Sequence, residues 1–405
     1  MNYTNNRSRD EEAVVFSEYE EAEEAEVLFE FIANGVLLNL VGILGILGNV
    51  ISMIILSRPQ MRSSINYLLT GLARSDTVLI LTSVFLFGLP PVYKYTRTPL
   101  LFGYYFRVYP LLSPVVYPLA LIAQTVSVYL TLTVTLERFV AVCHPLRARS
   151  LCTYGRARLY VGLIIVFSTL YNLSRFWEVT LERRFDPEYN MTVYTPVASP
   201  LRNNQVYISL YIHWLYLLFI YFLPFSCLAI LNSAIYRQVR RANKERQRLS
   251  RLQKKEIGLA TMLLIVVVVF VLCNVLALVT NVLEAFYGII LDRMVKTSNL
   301  LVTINSSVNF VIYVIYGEKF KRVFLKLFCS GEAVRCGGSE SPECGTVHED
   351  SVMLSNGDTV ANSVRTPSVR VKRSPRALPC VYYPARNGSK RHDDESTTGT
   401  ALNQL

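Results

Sequence analysis

Charged side chains are scarce in this sequence of 405 residues, and so are the groupings that catalysis or metal binding would need. Only 18% of the residues are Asp, Glu, Lys or Arg, whereas 52% are hydrophobic, which excludes an ordinary soluble protein of this length. The apolar segments contain no cluster of metal ligands and no set of nucleophile, base and orienting residue, so enzymatic activity is not expected. A basic start followed by a short apolar core is also missing, and the first apolar segment is therefore expected to act as a signal anchor.

Seven long apolar runs account for this composition. Each is close to the roughly 20 residues that a helix needs to cross a hydrocarbon core of about 30 Å. The runs cover residues 31–57, 65–91, 112–143, 156–178, 206–237, 257–287 and 297–316 and are called spans one to seven below. The sequence therefore predicts an all-α membrane protein, a seven-transmembrane helix bundle over residues 31–316.

The distribution of charge predicts the orientation of this bundle. Arginine and lysine concentrate in the loops after spans one, three and five, which marks these loops as cytoplasmic. Residues 1–30 form an acidic extracellular N-terminus, which either steers a cationic ligand or serves as a solvated, glycosylated leader. The acceptor sequons at Asn2, Asn6 and Asn190 all fall on the outer side. Because the net charge of +11 resides in the cytoplasmic loops and tail, nucleic acid is not an expected partner.

The cysteines and the segment after span seven extend this picture. None of the eight cysteines lies in a predicted outer loop, so no extracellular disulfide is expected.

In residues 317–329 apolar residues recur with helical spacing and basic residues fill the other face, which predicts an amphipathic helix lying on lipid at the inner leaflet. Cys329 at its end is either a palmitoylation site or an unmodified thiol. Residues 330–405 are rich in Ser, Thr, Gly and Pro and are predicted to be a disordered cytoplasmic tail with many phosphorylatable hydroxyls.

An ordered series of motifs runs through the spans. The series consists of Gly48-Asn49 in span one, Leu72-Ala73-Arg74-Ser75-Asp76 in span two, Leu136-Glu137-Arg138-Phe139 ending span three, Pro224 in span five and Asn309-Phe310-Val311-Ile312-Tyr313 in span seven. Together with seven spans and an outer N-terminus, it resembles the rhodopsin-like (class A) G protein-coupled receptors over about residues 30–330.

Further motifs narrow this resemblance. They are Tyr117-Pro118-Leu119-Ala120 and residues 124–132 in span three, residues 171–178 at the end of span four, Cys273-Asn274 in span six and residues 305–310 in span seven. The combination looks like the invertebrate FMRFamide neuropeptide receptor group. This resemblance implies a peptide ligand ending in Arg-Phe-amide and a heterotrimeric G protein as the inner partner. It also implies a receptor kinase and arrestin acting at the tail.

Several positions depart from the wider receptor pattern. Ser113 stands where most of the class has a cysteine at the outer end of span three, so the usual tether to the second outer loop is missing. Span six has Asn274 and Leu276 in place of a tryptophan and a kinking proline, and span seven has Phe310 in place of a proline. Without proline, the hydrogen-bond ladder of span six is expected to stay regular.

The resemblance implies two groups of polar residues within the bundle. The first is a sodium site or polar core formed by Asn49, Asp76, Ser127, Asn274, Asn305 and Asn309; a protonated Asp76 bonded to amides would satisfy its burial equally well. The second comprises the switch and G protein-coupling residues Glu137, Arg138, Phe139, Glu256 and Tyr313. In this second group Glu137 and Glu256 would hold Arg138 until span six moves. Arg138 as a snorkelling interface anchor and Glu256 as part of a solvated face are the alternatives.

The ligand-binding residues are chosen by what an Arg-Phe-amide terminus requires. Its guanidinium needs an acidic partner, because an unpaired buried arginine would cost several kcal/mol. The candidates are Gln124, Glu178, Glu182 (or Asp186), His213 and Glu284. Gln124 would bond the terminal amide or, alternatively, bridge two helices, and His213 would line the pocket or anchor span five at the interface. Ala120 stands where amine receptors have an aspartate, which argues against an amine ligand. Thr303 stands where opsins have the lysine that binds retinal, which argues against retinal.

These observations predict a plasma-membrane receptor for an amidated neuropeptide, with no catalysis and no cofactor apart from an allosteric sodium ion. A receptor for a different amidated peptide is one alternative. A polytopic transporter built around Asp76 and His213 is another, although transporters commonly show paired halves with interrupted helices, which this sequence lacks.

Overall fold

A computed structural model describes residues 22–187, 189–244 and 251–328, and side chains at 242–257 and 259 are outside this description. Seven helices in it are long and apolar enough to cross a membrane. They are Ala22–Leu56, Ser64–Thr96, Pro99–Cys143, Tyr154–Trp177, Gln205–Arg241, Ala260–Tyr287 and Asp292–Tyr316. These helices correspond to spans one to seven, so the predicted fold class is confirmed.

The remaining elements connect the spans. Two short helices, Pro59–Met61 and Pro145–Leu151, follow spans one and three. An antiparallel hairpin of β1 (Val179–Asp186) and β2 (Met191–Ala198) joins spans four and five, and the sequence did not predict it. We call the end of the bundle that carries this hairpin the hairpin end, and the opposite end the Arg138 end.

The span helices begin and end at residues with suitable capping chemistry. The side chains of Ser63, Thr153 and Asn204 accept hydrogen bonds from the first backbone N–H groups of spans two, four and five. Span two stops at Arg97, whose φ is 49°, and span six stops before Gly288, whose φ is 64°. The N–H of Gly288 bonds to the carbonyl of Glu284, which is the bond of an αL helix ending, and the N–H of Ile289 bonds to the carbonyl of Leu283.

Span six is continuous, as its lack of proline predicts: the helix runs without interruption from Arg251 to Tyr287. By contrast, four other spans contain π-helical turns in their hairpin-end halves. These turns are Phe31–Leu38, Val84–Gly88, Tyr104–Val108, Ile208–Leu215 and Leu217–Phe222. A π turn has more residues per turn than an α-helix, so side chains beyond it rotate away from the face that regular spacing predicts.

The largest apolar cluster lies toward the Arg138 end, where Leu68, Leu72 and Leu130 are almost completely buried. The helix Glu318–Phe328 packs on this cluster through Phe320 and Val323. Phe310, which stands where most receptors have a proline, lies 5.7 Å (ring centroids) from Phe324 on the same helix. The aromatic substitution in span seven therefore helps to seat the helix that follows it.

Close packing of spans one and seven generates the first prediction. A methyl group at Gly48 would lie 2.9 Å from Cβ of Phe310, so Gly48→Ala should destabilise the protein by about 1–3 kcal/mol through overpacking. Gly162→Ala is the matched control, because nothing lies within 4 Å of a methyl group there. The thermal unfolding midpoint of the detergent-solubilised protein measures both. Equal midpoints for the two variants would contradict the described packing.

Candidate functional site

The Asp76 carboxylate is fully buried where spans two, three and seven meet. Ser127 Oγ donates a hydrogen bond to its Oδ1 at 2.7 Å, and Asn309 Nδ2 donates one to its Oδ2 at 2.8 Å. The side chain of Ser306 also lies beside this carboxylate. Asn49, in span one, is fully buried and donates to the backbone carbonyl of Ser306 at 3.0 Å. The structure therefore brings Asn49, Ser127 and Asn309 together around Asp76.

The two other residues expected around Asp76 are placed differently. Asn274 is buried, but its Nδ2 donates to the carbonyl of Phe270 in its own helix at 2.8 Å. Asn305 is only half-buried. Among the described side chains, neither is hydrogen-bonded to Asp76. A helix offers each amide a carbonyl one turn earlier, and that local bond competes with a contact across the bundle.

Four buried oxygen atoms on spans one and seven have no hydrogen-bond partner among the described residues. These atoms are Asn49 Oδ1, Ser52 Oγ, Ser306 Oγ and the Tyr313 hydroxyl oxygen. Leaving such groups unpaired costs about 1–3 kcal/mol each, so they call for further partners. An all-oxygen set beside a carboxylate suits a hard cation or ordered water.

Glu137 and Arg138 are both buried at the Arg138 end, with 5% and 6% of their surface exposed. The Glu137 carboxylate accepts a hydrogen bond from Ser64 Oγ at 2.5 Å and interacts electrostatically with Arg138. Ser64 opens span two, and sequence reasoning missed it because nothing in the local pattern pairs it with span three. The neighbouring Phe139 packs against Ile235 of span five.

The other two residues of this group lie on spans six and seven. Tyr313 is buried and stacks edge-on against Phe320 at 5.7 Å between ring centroids. Glu256 lies in the helix of span six, but its side chain is outside the described residues. The second partner predicted for Arg138 therefore stays a prediction.

A buried ion pair closes span four below the hairpin. Arg175 Nη1 lies 3.0 Å from Oε1 and 3.2 Å from Oε2 of Glu178, and the two side chains are only 3% and 1% exposed. Tyr207, at the start of span five, donates to Oε1 of Glu178 at 2.7 Å. The guanidinium also lies over the rings of Tyr211 and Tyr216, at 4.9 and 5.4 Å.

This ion pair bears on the ligand role predicted for Glu178, which stays a prediction. Its carboxylate already has an internal cation and is shielded from solvent, so the guanidinium of a ligand would have to displace Arg175. The spacing of three residues within one helical turn was the signal that could have revealed the pair.

A cavity of about 950 Å³ opens at the hairpin end. Spans one, two, three and seven and the hairpin form its walls. Its lining combines aromatic and charged residues: the aromatic residues are Phe87, Tyr105, Phe106, Tyr109, Tyr117, Phe185 and Tyr194, and the charged residues are Glu30, Lys94, Arg184, Asp186, Asp292 and Lys296. An amphiphilic cavity of this size can hold several residues of a peptide.

Ion pairs tie the rim of this cavity together. Glu30 of span one lies 3.6 Å from Lys94 of span two and 3.3 Å from Lys296 of span seven. Glu26, one turn earlier, lies 2.9 Å from Arg293 and 3.5 Å from Lys296. Three cations therefore share two carboxylates at the meeting point of these spans.

The other ligand-binding residues predicted from the sequence do not line this cavity. Gln124 and His213 are half-buried on spans three and five, and Glu182 is exposed on β1. Glu284 lies within electrostatic range of Tyr117, which does line the cavity. The cavity lies toward spans one and seven because the hairpin folds over span three, and the sequence pattern did not show this. Asp186, the alternative to Glu182 in the second outer loop, is among the lining residues.

The predicted modification sites fall at the margins of the description. Asn190 has a φ of 47° in the hairpin turn and is exposed, so its side chain is accessible. Asn2, Asn6 and Cys329 are outside the described residues. Glycosylation and palmitoylation stay predictions.

Comparison with known proteins defines the class. The family model described as 7 transmembrane receptor (rhodopsin family) matches residues 48–313. The chain therefore belongs to the rhodopsin family of seven-transmembrane receptors, which are multi-pass proteins of the plasma membrane.

Individual relatives narrow the class. The chain is 58% identical to the FMRFamide receptor of Drosophila melanogaster over 82% of its own length and 59% of that protein, so it spans less than two thirds of this relative. It is 33% identical to the probable G-protein coupled receptor frpr-1 of Caenorhabditis elegans, over 76% of the chain and 80% of the relative. It is 34% identical to the FMRFamide peptide receptor frpr-18 of the same species, over 71% and 67%. Both resemblances predicted from the motifs are confirmed.

The buried ion pair gives the second prediction. Glu178→Gln leaves the Arg175 charge buried without its partner and should cost about 3–5 kcal/mol of folding stability. Combining it with Arg175→Met should recover much of that loss, because neither charge then remains. Glu318→Gln is the control, since its ion pair with Arg322 is exposed and worth little. Thermal unfolding and surface expression measure all variants, and a stable Glu178→Gln protein would refute the assigned role.

Proposed function

We propose that this chain is a cell-surface receptor for an amidated neuropeptide of the FMRFamide type and that it activates a heterotrimeric G protein. The observation that carries the proposal is the 58% identity to a relative named FMRFamide receptor, maintained over 333 residues. The chain would lie with its acidic N-terminus outside and its tail inside, as the basic loops predict. The hairpin end would then face the extracellular side and bind the peptide.

The cavity has the chemistry that such a peptide needs. An Arg-Phe-amide terminus combines a cation, an aromatic ring and a primary amide. The aromatic lining residues supply contacts for the ring, for example through Tyr105 and Tyr109, whose rings are stacked at 6.4 Å between centroids. Asp292 supplies a carboxylate that is exposed at the first turn of span seven and can pair with the guanidinium.

The polar residues along spans two, three and seven support a transmission role. Asp76 is bonded to spans three and seven, and the buried Glu137 and Arg138 lie at the far end of span three. A ligand that moves these spans would change the surroundings of Arg138. We infer that Glu256 holds Arg138 at rest and that release of this contact opens a cleft for the G protein.

We also infer that the Asp76 site binds a sodium ion in the resting receptor. The residues that would hold the ion are Asp76, Ser127, Asn49 and Ser306, and two of their oxygen atoms, Asn49 Oδ1 and Ser306 Oγ, have no partner among the described residues. A bound cation would offset the buried negative charge. Protonation of Asp76 is the competing arrangement.

Two further parts of the proposal rest on the sequence. The tail would be the substrate of a receptor kinase and the binding region of arrestin. The helix Glu318–Phe328 would contact membrane lipid through its exposed Leu327 and Phe328.

No catalytic activity is proposed. A receptor for another amidated peptide is the alternative within the class, and a transporter is the alternative outside it.

A peptide panel tests the proposal. Cells that express the chain should give a calcium or cyclic nucleotide response to the tetrapeptide Phe-Met-Arg-Phe-amide. Replacing its arginine by citrulline removes the cation and should lower potency at least about tenfold, because a charge-assisted pair is lost. Arg138→Ala should bind the peptide without signalling. Absence of any response despite confirmed surface expression would overturn the proposal, and peptide uptake insensitive to Arg138→Ala would favour the transporter.

A separate experiment tests the sodium ion. Replacing choline chloride by sodium chloride at constant ionic strength should lower peptide affinity about fivefold or more, because the ion stabilises the resting state. Asp76→Asn should abolish this dependence, and potassium chloride should not reproduce it. If the wild-type receptor binds peptide equally in sodium and choline, the protonated arrangement of Asp76 is the correct one.

A further inference from the structure

Asn34 in span one is a buried amide with an unsatisfied acceptor at the cavity. The side chain lines the cavity, yet only 3% of the residue is exposed, and its Oδ1 has no hydrogen-bond partner among the described residues. A buried carbonyl left in this state is costly unless another group completes it. Asn34 therefore points to a ligand group or water that donates a hydrogen bond here.

The backbone around Asn34 is fixed in place. The residue lies in the π-helical turn Phe31–Leu38, a kind of turn that is frequent at functional sites. One turn further along, Asn39 Nδ2 donates to the carbonyl of Gly35 at 2.7 Å and to that of Gly88 in span two at 3.0 Å. This bridge between spans one and two holds the Asn34 amide in a defined position before any ligand arrives, which lowers the cost of binding.

The surroundings of Asn34 favour a neutral polar group over a charged one. Glu30, one turn toward the open end, is already shared by Lys94 and Lys296, and Lys296 is also held by Glu26. A second cation entering here would compete with these lysines. A carboxylate on a ligand would have to draw Lys296 away from the carboxylates of Glu26 and Glu30.

We propose that the Asn34 carboxamide recognises the C-terminal primary amide of the peptide ligand. A primary amide has two N–H donors and a carbonyl acceptor, so it can donate to Asn34 Oδ1 and accept from Asn34 Nδ2 at once. A free acid terminus is ionised at neutral pH and has no donor for Oδ1. Asn34 thus discriminates the amidated peptide from its unamidated form, and this inference rests on the proposed function of the chain as a receptor for amidated peptides.

The test compares Phe-Met-Arg-Phe-amide with the free acid Phe-Met-Arg-Phe on cells expressing the full chain. Asn34→Leu keeps a side chain of similar shape but removes both hydrogen bonds. The potency of the amidated peptide should therefore fall about fivefold to tenfold, and most of its potency advantage over the free acid should disappear. Asn34→Asp keeps an acceptor for the peptide N–H and should preserve the advantage. Asn232→Leu is the control: this amide lies on span five, away from the cavity, and its described hydrogen bond is to the carbonyl of Leu228 in its own helix, so the ratio of potencies should not change.

The outcomes separate this inference from the proposed function. A wild-type receptor that responds to the amide, with an unchanged amide-to-acid ratio in Asn34→Leu, overturns the role of Asn34 and leaves the receptor assignment intact. A wild-type receptor that responds to neither peptide overturns both. Surface expression of each variant, measured with an antibody to an N-terminal tag, ensures that a lost response reflects recognition. If Asn34→Leu is not expressed, Asn34→Asp and Asn34→Ser replace it. An amide-to-acid potency ratio that equals the wild-type ratio in Asn34→Asp and is lower in Asn34→Ser would support the assignment. A wild-type ratio in both variants would refute it.

Discussion

Burial of the Asp76 carboxylate is the constraint on which the arrangement of the bundle depends. A carboxylate with no exposed surface must be surrounded by donors, because its desolvation would otherwise cost several kcal/mol. Ser127 and Asn309 supply those donors from spans three and seven, and Asn49 adds span one through the carbonyl of Ser306. Apolar contacts between helices tolerate sliding and rotation, whereas these bonds do not. The polar core therefore sets how four of the seven spans meet.

The hairpin end is held by different means. Among the described residues the cysteines are free, so no disulfide fastens the hairpin to span three. Instead Ser199, just after β2, donates from its N–H to the carbonyl of Glu178 at 2.9 Å and from its hydroxyl to that of Trp177 at 2.6 Å. Because Glu178 is itself held by Arg175 and Tyr207, the base of the hairpin is anchored to spans four and five. Buried polar bonds thus fix the loop that a covalent bond fixes in most of the class.

The sequence was sufficient for the spans but not for the ligand cavity. Helices that cross a membrane must satisfy all of their backbone hydrogen bonds internally, so apolar runs alone locate them. Of the Asp76 neighbours, the motif resemblance gave Ser127, Asn309 and Asn49, whereas Asn274 bonds to its own helix instead. The hairpin and the position of the cavity depend on contacts between distant segments, so the sequence pattern put the candidate ligand residues on spans three to six and in the second outer loop. In the structure the cavity lies toward spans one, two, three and seven.

This position of the cavity bears on how a signal could cross the bundle. Span six has no proline and forms an unbroken helix over Arg251–Tyr287, so a change in a kink of span six is not available as the first step. The cavity is lined by the same four spans that are joined at Asp76, and span seven carries both its lining residues Lys296 and Asn299 and, further along, Asn309 of the polar core. A peptide that separates the ion pairs at the rim would act directly on spans one, two and seven. Under the proposed function, the polar core would be the element with two arrangements, and span six would follow it through its contact with span seven.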